Sequence, residues 1–118
     1  VTELVQVSQE RFEEMIDDAL DNITDEFAQH MRNVVILAHD RNPDDPTLLG
    51  LYEGVPLPER TFDHTGFLPD AIFIYKEALE DICTSEEQLA HEVYVTVMHE
   101  VGHFFGLDED DLHRLGYE

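Results

Sequence analysis

The stretch TSEEQLAHEVYVTVMHEVGHFFG, residues 84–106, has the pattern of one long amphipathic helix. Thr84 with Glu87 and Ser85 with Gln88 make two overlapping capping boxes at its start, where free amide donors need acceptors. Leu89, Ala90, Val93, Val97 and Val101 follow at the three- and four-residue spacing of a buried stripe. Gly106 is the first residue able to take a left-handed C-terminal position at low cost, so the helix is expected to stop there.

The last turns of that helix carry His99-Glu100-Val101-Gly102-His103. Two histidines at i and i+4 project from one helix face, one turn apart, so both imidazoles can reach one ion. Zinc takes nitrogen and oxygen ligands about 2 Å away in a tetrahedron. The glutamate beside the first histidine can then accept a proton from a metal-activated water attacking a carbonyl. In a chain of this composition an H-E-x-x-H arises by chance in about one sequence in twenty, so alone it is modest evidence. Gly106 and the acids behind it complete H-E-x-x-H-x-x-G-x-x-[D/E]. That longer pattern arises by chance in roughly one sequence in a thousand or fewer.

In the extended zinc motif the third ligand lies ten residues after the first histidine. Here that position is Glu109, with Asp108 and His113 as alternatives within reach of the turn. Little chain follows His103, so the ligand is expected nearby rather than on a distant helix. Glu92 and Thr96 share a helix face with the two histidines, and Glu92 is either an acceptor that orients an imidazole or an exposed acid. His91, His30, His39 and His64 have no motif around them and read as structural or surface residues.

Outward from this helix, the chain reads as one α+β domain over residues 1–118. Ser8 can cap a helix running to about Met31, with Phe12, Met15, Ile16, Ala19, Leu20, Ile23 and Phe27 as its buried stripe and acids elsewhere. NVVILAHD (33–40) reads as a strand, and RNPDDPT then breaks the chain. A short strand is expected around Leu49 to Glu53, irregular loop from Arg60 to Asp70, and a second clear strand at AIFIYK (71–76). KEALEDIC forms a brief helix, and another spans about Asp108 to Leu115. The strand AIFIYK, in a small sheet packed on the motif helix, is expected to offer an edge on which a peptide could add as an extra strand.

With 28 acids against 6 basic residues, the formal charge is −22. Such a surface repels phosphate backbones and anionic lipid, which argues against nucleic acid and membrane as partners. Cys83 is the only cysteine, so no intramolecular disulfide and no thiolate zinc cage are expected. No apolar run reaches the roughly 18 residues of a span, and Val1 to Glu10 shows no signal-peptide pattern. A cytoplasmic location is therefore expected.

Three stretches, LLGLYEGVPL, GFLPDAIFIYKEALEDIC and TVMHEVGHFFGLDEDDLHRLG, together resemble the minimal zincin-like metallopeptidase domains, small bacterial proteins. The resemblance covers most of Leu48 to Gly116. It implies a stripped-down zincin-like fold, with a small mixed β-sheet packed against an N-terminal helix and the motif-bearing helix. It further implies His99 and His103 as zinc ligands, Glu100 as the base, and an acid at or beside Glu109 as third ligand. The glutamate at 109 departs from the more usual histidine or aspartate. Two functions follow as expectations: a zinc-dependent metallopeptidase, or a catalytically inactive protein of the same shape that binds a peptide or protein partner.

Overall fold

The computed structural model describes residues 5–31, 33–54 and 70–117. Its elements are α1 (Gln9–Leu20), α2 (Asp25–Gln29), β1 (Val34–His39), β2 (Gly50–Glu53), β3 (Asp70–Tyr75), α3 (Lys76–Asp81), α4 (Glu86–Phe104) and α5 (Glu109–Leu115). The fold is α+β, with a three-stranded sheet in the order β1-β3-β2. β1 runs parallel to β3, pairing Ile36 with Ile72 and Ala38 with Ile74. β2 runs antiparallel to β3, pairing Gly50 with Ile74 and Tyr52 with Ile72.

The side-chain alternation of β3 explains the layering. Ile72 and Ile74 are wholly buried and join Phe12, Met15, Ile16 and Ala19 of α1 and Leu89, Val93 and Val97 of α4 in a single core. On β1, Val35 and Leu37 point away from this core and are exposed. The helices thus cover one face of the sheet.

β3 is the middle strand, bonded on both sides, so the edge beside α4 belongs to β2 and not to AIFIYK. Gly50 is what lets β2 approach so closely. A Cβ there would lie 2.7 Å from the Thr96 methyl and 3.2 Å from Cγ of Glu100.

The expected helix from Ser8 to Met31 is in fact two. Ser8 caps the first, accepting from the Arg11 amide at 3.1 Å. The helix ends at Leu20, and the Thr24 hydroxyl accepts from the Phe27 amide to begin α2. Two local effects favour the break over the continuous stripe. The Asn22 side chain bonds the Asp18 carbonyl. Asp17, Asp18 and Asp21 also place negative charge at the helix C-terminus, against its dipole. Phe27, counted in the buried stripe from periodicity, is consequently half exposed and packs edge-on against Phe105.

At the start of α4, Ser85 is the cap, accepting from the Gln88 amide at 3.0 Å. The Gln88 side chain accepts from the Thr84 amide instead of closing the second half of a Ser85 box. The expected loop from Arg60 falls outside the described residues up to position 69. No described helix is long and apolar enough to cross a membrane.

Candidate metal centre

The helix α4 presents His99 and His103 on one face with their Nε2 atoms 3.1 Å apart. The chain then reverses at Gly106, whose φ of 87° is left-handed. The Gly106 amide bonds the His103 carbonyl at 3.0 Å and the Leu107 amide bonds the Gly102 carbonyl at 2.9 Å, closing the helix end. Asp108 then caps α5, accepting from the Asp111 amide at 2.8 Å, while the Asp111 side chain accepts from the Asp108 amide. Glu109 is therefore the first residue of α5. Its Oε1 lies 2.9 Å from Nε2 of His103 and 3.3 Å from Nε2 of His99.

Among the described residues, His99, His103 and Glu109 form the one group of potential ligand atoms lying within 4.8 Å of each other. Asp108 is occupied as a helix cap, and His113, near the far end of α5, stands outside the group.

The position of α5 depends on Gly102, inside the motif. A Cβ at this residue would meet Cδ2 of the wholly buried Leu112 at 2.4 Å. The bare backbone at Gly102 is thus the seat on which α5 rests, and through α5 it sets where Glu109 falls.

The far side of each imidazole is also fixed. Nδ1 of His99 donates to the Tyr117 carbonyl at 2.5 Å, and Nδ1 of His103 donates to the Leu107 carbonyl at 3.1 Å. A carbonyl oxygen can only accept, so in the neutral rings the proton sits on Nδ1 and both Nε2 lone pairs point inward. Two lone pairs and a carboxylate then face one another, and among the described residues no lysine or arginine lines the cleft around them. Such an acceptor-only cluster is unfavourable until a cation occupies it. The donor set of two imidazole nitrogens and a carboxylate oxygen fits zinc.

Glu100 is 7% exposed and lies on the cleft beside the two histidines. Burial raises its pKa above the usual carboxylate value; the charges of His99 and His103 oppose this, Glu109 adds to it, and a hydrogen bond from the Tyr52 amide relieves it. Tyr52 is itself fixed, its hydroxyl donating at 2.7 Å to the buried Asp70 and its ring edge-on to Phe104. The edge strand and the motif helix are thus joined through one carboxylate. The cleft they enclose has a volume of about 580 Å³ and is open to solvent, with Gly50, Leu51 and Tyr52 of β2 along one wall.

Sequence reasoning singled out the three converging side chains and Glu100, and missed what holds them. The Tyr117 and Leu107 carbonyls, the Tyr52 amide and the Leu112 seat carry no side-chain signature. The glycine in the middle of the motif was the one available signal. Glu92, considered as a partner for an imidazole, does not bond either ring; backbone carbonyls take that place. His30 and His39 pack edge-on or tilted against Phe105 and Phe73. His91 is exposed, and His64 lies outside the described residues.

A family model described as zincin-like metallopeptidase matches residues 31–117. No curated protein shows significant similarity. Among solved structures, the chain is similar to a conserved hypothetical protein from Thermus thermophilus, with a TM-score of 0.58 and 21% identity. That likeness covers 81% of this chain and 92% of the other, and at this identity it speaks for the fold alone.

Proposed function

Because the chain belongs to the zincin-like metallopeptidase family, we propose that it is a zinc-dependent peptidase with His99, His103 and Glu109 as metal ligands and Glu100 as general base. The observation that carries this reading is the inward convergence of two Nε2 lone pairs and a carboxylate beside a second, buried acid, Glu100. Zinc bound there would supply the positive charge that polarises a carbonyl and acidifies a water.

The chain's own residues do the rest. The Tyr117 and Leu107 carbonyls hold the imidazoles in the tautomer that leaves Nε2 free. Glu100, made more basic by burial, accepts the proton of the attacking water and hands it to the departing amine. The Tyr52 amide keeps that carboxylate in place. A substrate peptide adds in extended form along β2, the sheet edge that walls the cleft, with backbone hydrogen bonds providing affinity. The charge of −22 speaks against nucleic acid and anionic membrane as partners.

The inactive, peptide-binding alternative is separated from this reading by Glu100→Gln. A peptidase loses about 10²–10⁴ in turnover of an unfolded protein substrate while keeping its zinc. Equal behaviour of the variant and the parent in that assay would remove the general-base role.

A further inference from the structure

Next to the metal cleft, on the side toward the start of α4, lies a second recess of about 290 Å³. It holds several times the ~30 Å³ that one water takes up in the liquid. It shares Leu48, Gly50, His99 and Glu100 with the cleft and is otherwise walled by Asp45, Thr47 and Leu49 and by Glu92 and Thr96 of α4. Apart from His99, its titratable groups are carboxylic acids. Glu92 makes no salt bridge among the described residues, and Asp45 is held ionised by hydrogen bonds from the Thr47 hydroxyl at 2.6 Å and amide at 3.1 Å.

Thr96 is the second, separate observation. It is only 6% exposed, and its methyl is turned to Gly50. Its hydroxyl makes no hydrogen bond among the described residues, yet the oxygen is not sealed in the interior, so its free capacity opens onto the recess.

Among the described residues no lysine or arginine lines this space, and its one histidine, His99, turns Nε2 to the metal cleft. Arg11, Arg41, Lys76 and Arg114 are each paired with acids elsewhere. Among the described residues the recess acids also do not gather with a third donor into a metal-sized group, which suits an elongated cation with several donors better than a single ion.

We propose that this recess receives a lysine or arginine side chain of the substrate peptide, with Glu92 and Asp45 as its anionic wall and the Thr96 hydroxyl as a hydrogen-bond acceptor within it. The identity of the occupant rests on the peptidase reading above, since a peptide on β2 crosses the mouth of the recess beside Glu100. Glu92, Asp45 and Thr96 are then the specificity-determining residues, and the enzyme's preference is for a basic residue next to the bond it cleaves.

The test uses zinc-loaded protein carrying Glu100→Gln, so that peptides bind without turnover. Blocked alanine tetrapeptides with Lys, Arg, Leu or Glu at one inner position are titrated at low salt. The lysine and arginine peptides are expected to bind about fivefold or more tighter than the leucine peptide, and the glutamate peptide more weakly. Adding Glu92→Gln should cut that preference to below about twofold, whereas adding Glu13→Gln on α1 should leave it. Absence of a basic preference, its survival in Glu92→Gln, or its equal loss in Glu13→Gln would overturn the proposal; the last would assign it to overall charge. A parallel cleavage assay on the zinc-loaded parent separates the two claims. Cleavage without a basic preference overturns the recess assignment alone, while basic preference in binding without any cleavage overturns the peptidase reading alone.

Discussion

The helices α1 and α4 are built to the same plan and end in different uses. Each starts from a serine cap, carries at least one acid in its first turn and packs into the same core against the sheet. Arg11 of α1 even pairs with Glu86 of α4 at 2.6 Å, an exposed bridge that contributes little. Their buried faces differ. α1 buries Phe12, Met15, Ile16 and Ala19, all apolar. α4 buries Thr96, Glu100 and Gly102 among its apolar residues, and half-buries His99 and His103 beside them.

A helix stripe that is apolar throughout is explained by packing. One that interrupts itself with a carboxylate, a hydroxyl and a bare backbone loses stability at each of those positions. The loss on α4 falls where the cleft, the recess and α5 meet, which marks the site from the packing pattern alone.

The sharpest break in the comparison is His103→Ala on α4. The variant should lose zinc affinity by more than the roughly 10- to 100-fold that removing an outer partner costs, while its circular dichroism stays that of the parent. Competition with a chromophoric chelator measures it, and an unchanged affinity would take His103 out of the ligand set.

The mirror experiment is Phe12→Ala on α1. The wholly buried ring leaves a core cavity, so unfolding in denaturant should register a loss of about 3–5 kcal/mol. Zinc stoichiometry measured on the folded fraction in the cold should not change. A fall in stoichiometry would show that α1 also shapes the centre.

Gly102→Ala sits between these extremes. Its new Cβ presses on Leu112, and overpacking of this kind costs about 1–3 kcal/mol. Because Leu112 anchors α5, Glu109 shifts with it, and zinc affinity should fall by roughly tenfold although no ligand is altered. A destabilised variant with unchanged zinc affinity would separate the seat of α5 from the metal centre.

Legibility in the sequence follows the same division. The features of α4 and its turn are local, so spacing alone brought together His99, His103, Gly106 and Glu109. β1, β3, α3 and α5 were equally readable from strings of β-branched or periodic residues. The break between α1 and α2 was not, because Ile23 and Phe27 extend the apolar period across it. Only the hydrogen bonds of Asn22 and Thr24 show where the helix stops. The middle position of β3 and the edge position of β2 depend on pairing between distant segments, to which the alternation within a strand is blind. The carbonyls of Leu107 and Tyr117 belong to the backbone, which every residue type shares, and only the folded chain shows which two reach the histidines.

The central claim is that the cluster on α4 and α5 is a metal centre, and metal analysis tests it most directly. Protein purified without added metal and then dialysed against zinc should retain close to one equivalent by elemental analysis. At free zinc about 100 times the dissociation constant, binding should stabilise the fold by about 2.7 kcal/mol, seen as a melting temperature higher by roughly 10 °C than that of the chelator-treated protein. Zinc content near zero after dialysis, with identical melting curves in the presence and absence of zinc, would contradict the account.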